Sequence, residues 1–275
     1  MKGKFLAALT LTATLLLTGC GGGDTSSNDK PATGSEVKLK IGATPVPHAE
    51  ILEEIKPDLK QQGISLEIVE FNDYVQPNIA LNDKELDANF FQHEPYLNDF
   101  INEHKDVKLK NAGGVHIEPM GIYSKKIKDL KELADGATVS IPNDATNGGR
   151  ALLLLQKAEV LKLKDGTNEM ATVQDIAENP KNIVIQEVEA AQLPRTLEDV
   201  DIAIINTNFA MNADLNPMND ALFIEDKTSP YVNIIAVRDG DENRDEIKKL
   251  LTTIKSDKVK KFIEDKYKGA IVPAF

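Results

Sequence analysis

One cysteine among 275 residues cannot close an internal disulfide, and with no tryptophan and only 5% aromatic residues the core has to be aliphatic. Positive charge is also scarce. The chain has 32 Lys plus Arg against 44 Asp plus Glu, a formal net charge of −12, and no basic patch dense enough to neutralise a run of phosphates. That argues against nucleic acid as a partner. Four histidines with no short-spaced pair offer little to a metal. There is no G-x-S-x-G elbow, no H-E-x-x-H, no P-loop ending and no dinucleotide fingerprint, so neither an enzyme nor a cofactor is expected. The 41% hydrophobic content can build the core of one large or two ordinary domains.

The N-terminal segment reads as an address. Lys2 and Lys4 precede the uncharged, mostly apolar residues 5–18, and Leu17-Thr18-Gly19-Cys20 closes the run. Such a run reaches roughly 21 Å as a helix, short of a hydrocarbon core of about 30 Å, so residues 1–19 read as a signal peptide rather than a permanent span. Leu-Thr-Gly-Cys resembles the lipobox of bacterial lipoproteins, which implies cleavage before Cys20 and its lipidation. Acyl chains contribute about 0.8 kcal/mol per buried methylene, enough for several to hold a protein on a bilayer. Residues 20–36, with no large apolar side chain, are then a lipidated flexible tether. The expected location is the extracytoplasmic side of a bacterial cell membrane.

The rest alternates strands and helices. Val37 to Gly42 alternates like a strand, and residues 49–62 put Ile51, Leu52, Ile55 and Leu59 on one helical side. Strands over 64–71, 86–91, 137–141, 183–188, 200–205 and 231–237 are interleaved with helices over 74–81, 95–104, 128–133, 148–160, 193–198 and within 242–267. This order predicts an α/β protein with parallel sheets. Two lobes are expected, 37–118 plus 230–275 and 119–229, with the chain crossing near 116–124 and 222–232 and a ligand cleft between them.

In open α/β sheets ligands lie beyond the carboxyl ends of the strands. After Ile141 comes Pro142-Asn143-Asp144-Ala145-Thr146-Asn147-Gly148-Gly149-Arg150. With Asn147 as N-cap, Arg150 falls in the first helical turn, where a cation is unfavourable unless an anion is present. The paired glycines permit close backbone approach, and a guanidinium can grip a carboxylate through two hydrogen bonds. The alternative is a surface Arg150 paired with Asp144. Phe91, His93 and Tyr96 cluster at another strand-to-helix corner, with Tyr74 in the preceding loop. Together they suit an aliphatic or thioether side chain, although core packing accounts for aromatics there equally well. Asn206, Asn208 and Asn233 sit at the ends of buried strands, where an amide can serve either pole of a zwitterion.

The segments FNDYVQPNIAL, DANFFQHEPYL, GIYSKKIKDLKEL, SIPNDATNGGRALLLLQKAEV, EVEAAQLPRTL, IINTNFA and SPYVNIIAV, with the lipobox, resemble the methionine-binding lipoprotein (NlpA/MetQ) family over essentially residues 37–275. The resemblance implies a two-lobed type 2 periplasmic-binding-protein fold. It also implies capture of methionine, most often the L-isomer, for an ABC permease and its ATPase; D-methionine or a methionine-containing peptide is the alternative. Arg150 would hold the carboxylate with help from Asn147, Asn206 and Asn233 would fix the head group, and Tyr74, Phe91, His93 and Tyr96 would enclose the thioether. His116 and Asn208 would tune ligand preference. A different class, a zinc-binding lipoprotein using His48, His93, His116 and a carboxylate, is the competing reading.

Overall fold

Leu39, Ile41 and Ala43 alternate with less buried neighbours and are themselves fully enclosed, which makes β1 (Val37–Ala43) the spine of the first sheet. The computed structural model describes residues 36–275; the expected signal peptide, Cys20 and the tether through Ser35 lie outside the described residues. The chain continues through α1 (Glu50–Gln61), β2 (Ile64–Glu70), α2 (Gln76–Asn82), β3 (Ala88–His93), α3 (Glu94–Glu103) and β4 (Leu109–Ile117). It then forms β5 (Gly121–Tyr123), β6 (Thr138–Pro142), α4 (Ala145–Lys157), a small β7 (Lys162–Leu163) and β8 (Ile176–Glu178) pair, and β9 (Val184–Val188). Next come α5 (Leu193–Thr196), β10 (Ile202–Ile205), α6 (Thr207–Asn212), α7 (Pro217–Asp220) and β11 (Phe223–Ile224). The last part comprises β12 (Val232–Arg238), α8 (Asp245–Ile254), α9 (Asp257–Tyr267) and β13 (Val272–Pro273).

Two principal sheets result, ordered β13-β4-β12-β3-β1-β2 and β11-β5-β10-β6-β9. The chain passes from the first to the second between Ile117 and Gly121 and returns between Ile224 and Val232. Each sheet has its own aliphatic core. One gathers Ile51, Leu52, Ile55 and Leu59 of α1 with Ile247, Leu250 and Ile263 from α8 and α9; the other packs Leu152, Leu154 and Leu155 of α4 on Val139, Ile141, Ile202 and Ile204. Each fully buried aliphatic chain contributes roughly 1.5–3 kcal/mol, which supplies the cohesion that disulfides do not. Among the described residues no helix is long and apolar enough to cross a membrane.

Several expectations need correction. The sheets are mixed, not parallel: β1 pairs in parallel with β2 and β3, but β12 runs antiparallel to both β3 and β4, and β5 antiparallel to β10 and β11. The segment 128–133 holds only a three-residue 3-10 turn, Leu130–Glu132, capped by Asp129. Helix α4 begins at Ala145 rather than Gly148, because the Asp144 side chain accepts from the Asn147 backbone N–H and is the true N-cap. Arg150 therefore lies in the second turn, away from the free N–H groups. The argument from an unfavourable helix dipole does not apply to it.

The paired glycines also serve packing, not ligand approach. A Cβ on Gly148 would lie 2.9 Å from the Pro142 carbonyl oxygen, and one on Gly149 would collide with the Glu169 carbonyl and the Ala171 nitrogen. Helix propensity alone would make Gly149→Ala stabilising by about 1 kcal/mol. The steric contact predicts the opposite sign, a loss of about 1–3 kcal/mol, which urea unfolding will measure.

Candidate functional site

The carboxyl ends of β3, β6 and β10 all open on one void between the two sheets. Its lining combines Tyr74, Phe91, Gln92, His93, Tyr96 and Asn233 from the first sheet's side with Asn147, Arg150, Asn206, Thr207 and Asn208 from the second, and Glu118 from the crossing between them. In this closed arrangement about 20 Å³ of the void admits the centre of a water-sized sphere, room for roughly one or two waters. Asn233 reaches it as the second residue of the antiparallel strand β12, where it pairs with His93 on one side and His116 on the other. Asn206 reaches it as the residue just before α6.

The polarity of this wall is fixed by hydrogen bonding. Asp144 accepts from the Thr146 hydroxyl, the Asn147 backbone and the Asn147 side-chain amide. Burial pushes its carboxyl up, and those donors oppose the rise. Since the Asn147 Nδ2 faces a carboxylate, its Oδ1 faces inward and accepts from Asn206 Nδ2 at 2.9 Å and from His93 Nε2 at 3.1 Å. His93 Nδ1 in turn accepts from the Tyr96 backbone N–H, so the proton sits on Nε2. Burial first, then Arg150, lowers the His93 pKa to about 3 and keeps the ring neutral. The consequence for Asn206 is that its Oδ1 is buried without a partner among the described residues.

Arg150 is 3% exposed and lies over the Tyr231 ring, 4.2 Å from its centre. Its Nε and Nη2 engage both oxygens of Glu225, and Nη2 also donates to the Glu118 carbonyl at 2.8 Å. Glu225, not Asp144, is thus the internal counterion, and it occupies the two-point grip expected for a ligand. Nη1 makes no hydrogen bond among the described residues and belongs to a residue lining the void.

Tyr74, Phe91 and Tyr96 form the apolar end, with ring centres 5.7–6.1 Å apart. Tyr74 donates to Asn208 Oδ1 at 2.6 Å and lies 4.8 Å from Phe209, which ties this aromatic cluster to α6. Burial pushes the Tyr74 hydroxyl well up, so it remains a donor.

Of the nine residues expected in the site, eight line the void: Tyr74, Phe91, His93, Tyr96, Asn147, Arg150, Asn206 and Asn233. His116 does not. It stands behind Glu118, donating from Nε2 to Oε1 at 2.7 Å, because successive β4 side chains alternate in facing and the chain leaves the strand after Ile117. Sequence reasoning missed Glu118, Gln92 and Thr207 as lining residues, and Glu225 and His48 as their supports. A carboxylate within the largely apolar GGVHIEPMGIY was the available signal for Glu118.

The metal reading changes composition. His48, His116 and Glu118 have ligand atoms within 4.8 Å of one another, while His93 stands apart on Asn147. Both imidazole Nε2 atoms meet the same carboxylate oxygen, at 3.1 and 2.7 Å, which is hydrogen-bond spacing that existing donors already explain.

Comparison with known proteins places this geometry. The model of the NlpA lipoprotein family matches residues 39–275. The methionine-binding lipoprotein MetQ of Bacillus subtilis strain 168 is 43% identical, with 99% of each chain covered. A solved nutrient-binding protein from Burkholderia cenocepacia, bound to methionine, is 48% identical with a TM-score of 0.83 over 86% of this chain and 100% of that one. An ABC transporter periplasmic substrate-binding protein from Coxiella burnetii is 42% identical with a TM-score of 0.82, over 86% and 100%. The architecture is the two-lobed α/β fold of periplasmic binding proteins.

The low His93 pKa has a measurable consequence. An unfolded histidine takes up its proton near pH 6.5 and the folded one only near 3, so stability is present above pH 6.5 and declines as pH falls through that window. Urea unfolding of His93→Gln between pH 7 and 4.5 should show a slope shallower than wild type by up to about 1.4 kcal/mol per pH unit.

Proposed function

Because this chain belongs to the NlpA lipoprotein family, we propose that it is the substrate-binding lipoprotein of an ABC importer, capturing methionine and delivering it to a membrane permease with its ATPase. The observation that carries the ligand reading is the sorting of the void. Unpartnered polar atoms lie at Arg150, Asn206 and Asn233, and an aromatic cluster lies at Tyr74, Phe91 and Tyr96. A methionine placed there sets its carboxylate on Arg150 Nη1. Asn233 supports this role: its Oδ1 is held by His48 Nε2 at 3.0 Å, which leaves Nδ2 to donate. Asn147 orients Asn206 and His93 rather than touching the carboxylate through a helix-start N–H. The thioether packs among the rings, where sulfur–aromatic contacts contribute about 0.3–1.5 kcal/mol. Binding without turnover is the role these residues support.

Residues 37–118 with 230–275 act as one lobe and 119–229 as the other, and His93–Asn147 and Tyr74–Asn208 latch them closed. Cys20, cleaved and lipidated, tethers the body to the extracytoplasmic face of the membrane. Closure would offer the permease a surface that exists only when a ligand has completed the site.

Calorimetry on the fragment from Ser35 tests the carboxylate assignment. Arg150→Ala in a Glu225→Gln background, which avoids stranding a buried carboxylate, should weaken L-methionine binding by about 2–5 kcal/mol relative to Glu225→Gln alone. A change below about threefold would remove Arg150 from the site. Mass spectrometry of small molecules carried through native purification should find methionine, and a consistently different occupant would replace it as the ligand.

A further inference from the structure

The functional reading leaves one charged wall residue unused. Glu118 is 6% exposed, lines the void and is the only carboxylate among its lining residues. Its Oε1 accepts from His116 Nε2 at 2.7 Å and lies 3.1 Å from His48 Nε2, which itself donates to Asn233 Oδ1. Among the described residues no lysine or arginine lies within ion-pair distance of it, and Oε2 accepts no hydrogen bond. His116 Nδ1 is buried without a partner, as suits a neutral ring whose single proton is on Nε2, and burial lowers its pKa accordingly. Burial alone would raise the Glu118 carboxyl, but the two imidazoles more than offset it and hold it well below the usual carboxylate range.

A buried carboxylate with one oxygen anchored and the other bare is unfavourable unless a cation arrives. Arg150 cannot fill that role, since its guanidinium is engaged by Glu225 and meets Glu118 only at the backbone carbonyl. The same void holds a second unsatisfied acceptor, Asn206 Oδ1. Two bare acceptors and two bare donors, Arg150 Nη1 and Asn233 Nδ2, make a site with opposite poles.

Resting on the methionine reading above, we propose that Glu118 Oε2 is the acceptor for the ligand's α-ammonium group, with Asn206 Oδ1 as a second acceptor, and that His48 and His116 are positioning residues that aim it. The site then selects α-amino acids over carboxylic acids that share the side chain but lack the amine. Tyr74, Phe91 and Tyr96 read the side chain, and Glu118 reads the zwitterion.

The test is calorimetry on the full chain in mild detergent, with L-methionine and its des-amino analogue 4-(methylthio)butanoate. Wild type should prefer methionine by roughly 100-fold or more, since a site built around a hydrogen-bonding amine strongly rejects a ligand without one. Glu118→Gln should weaken methionine by roughly 30-fold while moving the analogue by less than about threefold, and His116→Asn should shift the same ratio in the same direction by about five- to tenfold. Wild-type discrimination below about threefold overturns the proposal without any variant. So does a Glu118→Gln protein that retains methionine affinity, or that loses both ligands equally. Methionine bound by the wild type with no role for Glu118 defeats this assignment alone, whereas no methionine binding at all defeats the functional reading on which it rests.

Discussion

An ionised carboxylate can only accept, and that one-sidedness at Asp144 sets the polarity of the cavity wall. It turns the Asn147 amide so that its oxygen faces inward, that oxygen takes donors from His93 and Asn206, and Asn206 is left presenting its own oxygen to the void. Three side chains from two sheets thereby acquire a defined direction from one helix cap. His48 does the same for Asn233, holding it by its oxygen, while its ring stands 3.1 Å from Glu118 Oε1. The side-chain amides of Asn147, Asn206 and Asn233 are thus each paired internally at one end, and Asn206 and Asn233 keep the other end toward the void, as the proposed zwitterion site requires.

Arg150 shows why charge alone does not define such a site. Had its guanidinium lacked an internal partner, an empty cavity would contain a buried, unpaired cation at a cost of several kcal/mol. Glu225 neutralises it, and Tyr231 covers one face. The remaining Nη1 contributes direction and a single hydrogen bond rather than a full ion pair. In the proposed complex the ligand carboxylate is shared between Arg150 on α4 and Asn233 on β12, so that binding itself would favour the closed arrangement.

Much of this was legible in the sequence because it is local. The helical spacing of Ile51, Leu52, Ile55 and Leu59, the apolar run of β10, and His93 with Tyr96 at a strand-to-helix corner all depend on near neighbours. What escaped depends on distant partners. Strand β4 carries Gly113 and Gly114 and shows no alternation of apolar and polar residue types, so its antiparallel place beside β12 is invisible until β12 is laid against it. Glu225 meets Arg150 from 75 residues away. The Asn147 cap failed for a subtler reason: Asp144 and Asn147 are both good N-caps, and the chain uses the earlier one, whose side chain accepts from the Asn147 N–H.

The central claim is that the void is a bipolar, methionine-shaped site whose orientation is set before any ligand arrives. A crystal structure of the protein with L-methionine tests it most directly. The account predicts the carboxylate within about 3.2 Å of Arg150 Nη1 and Asn233 Nδ2, the ammonium within the same reach of Glu118 and Asn206, and the sulfur among Tyr74, Phe91 and Tyr96. A methionine bound outside this void, or reversed so that its thioether lies against Arg150, would contradict it.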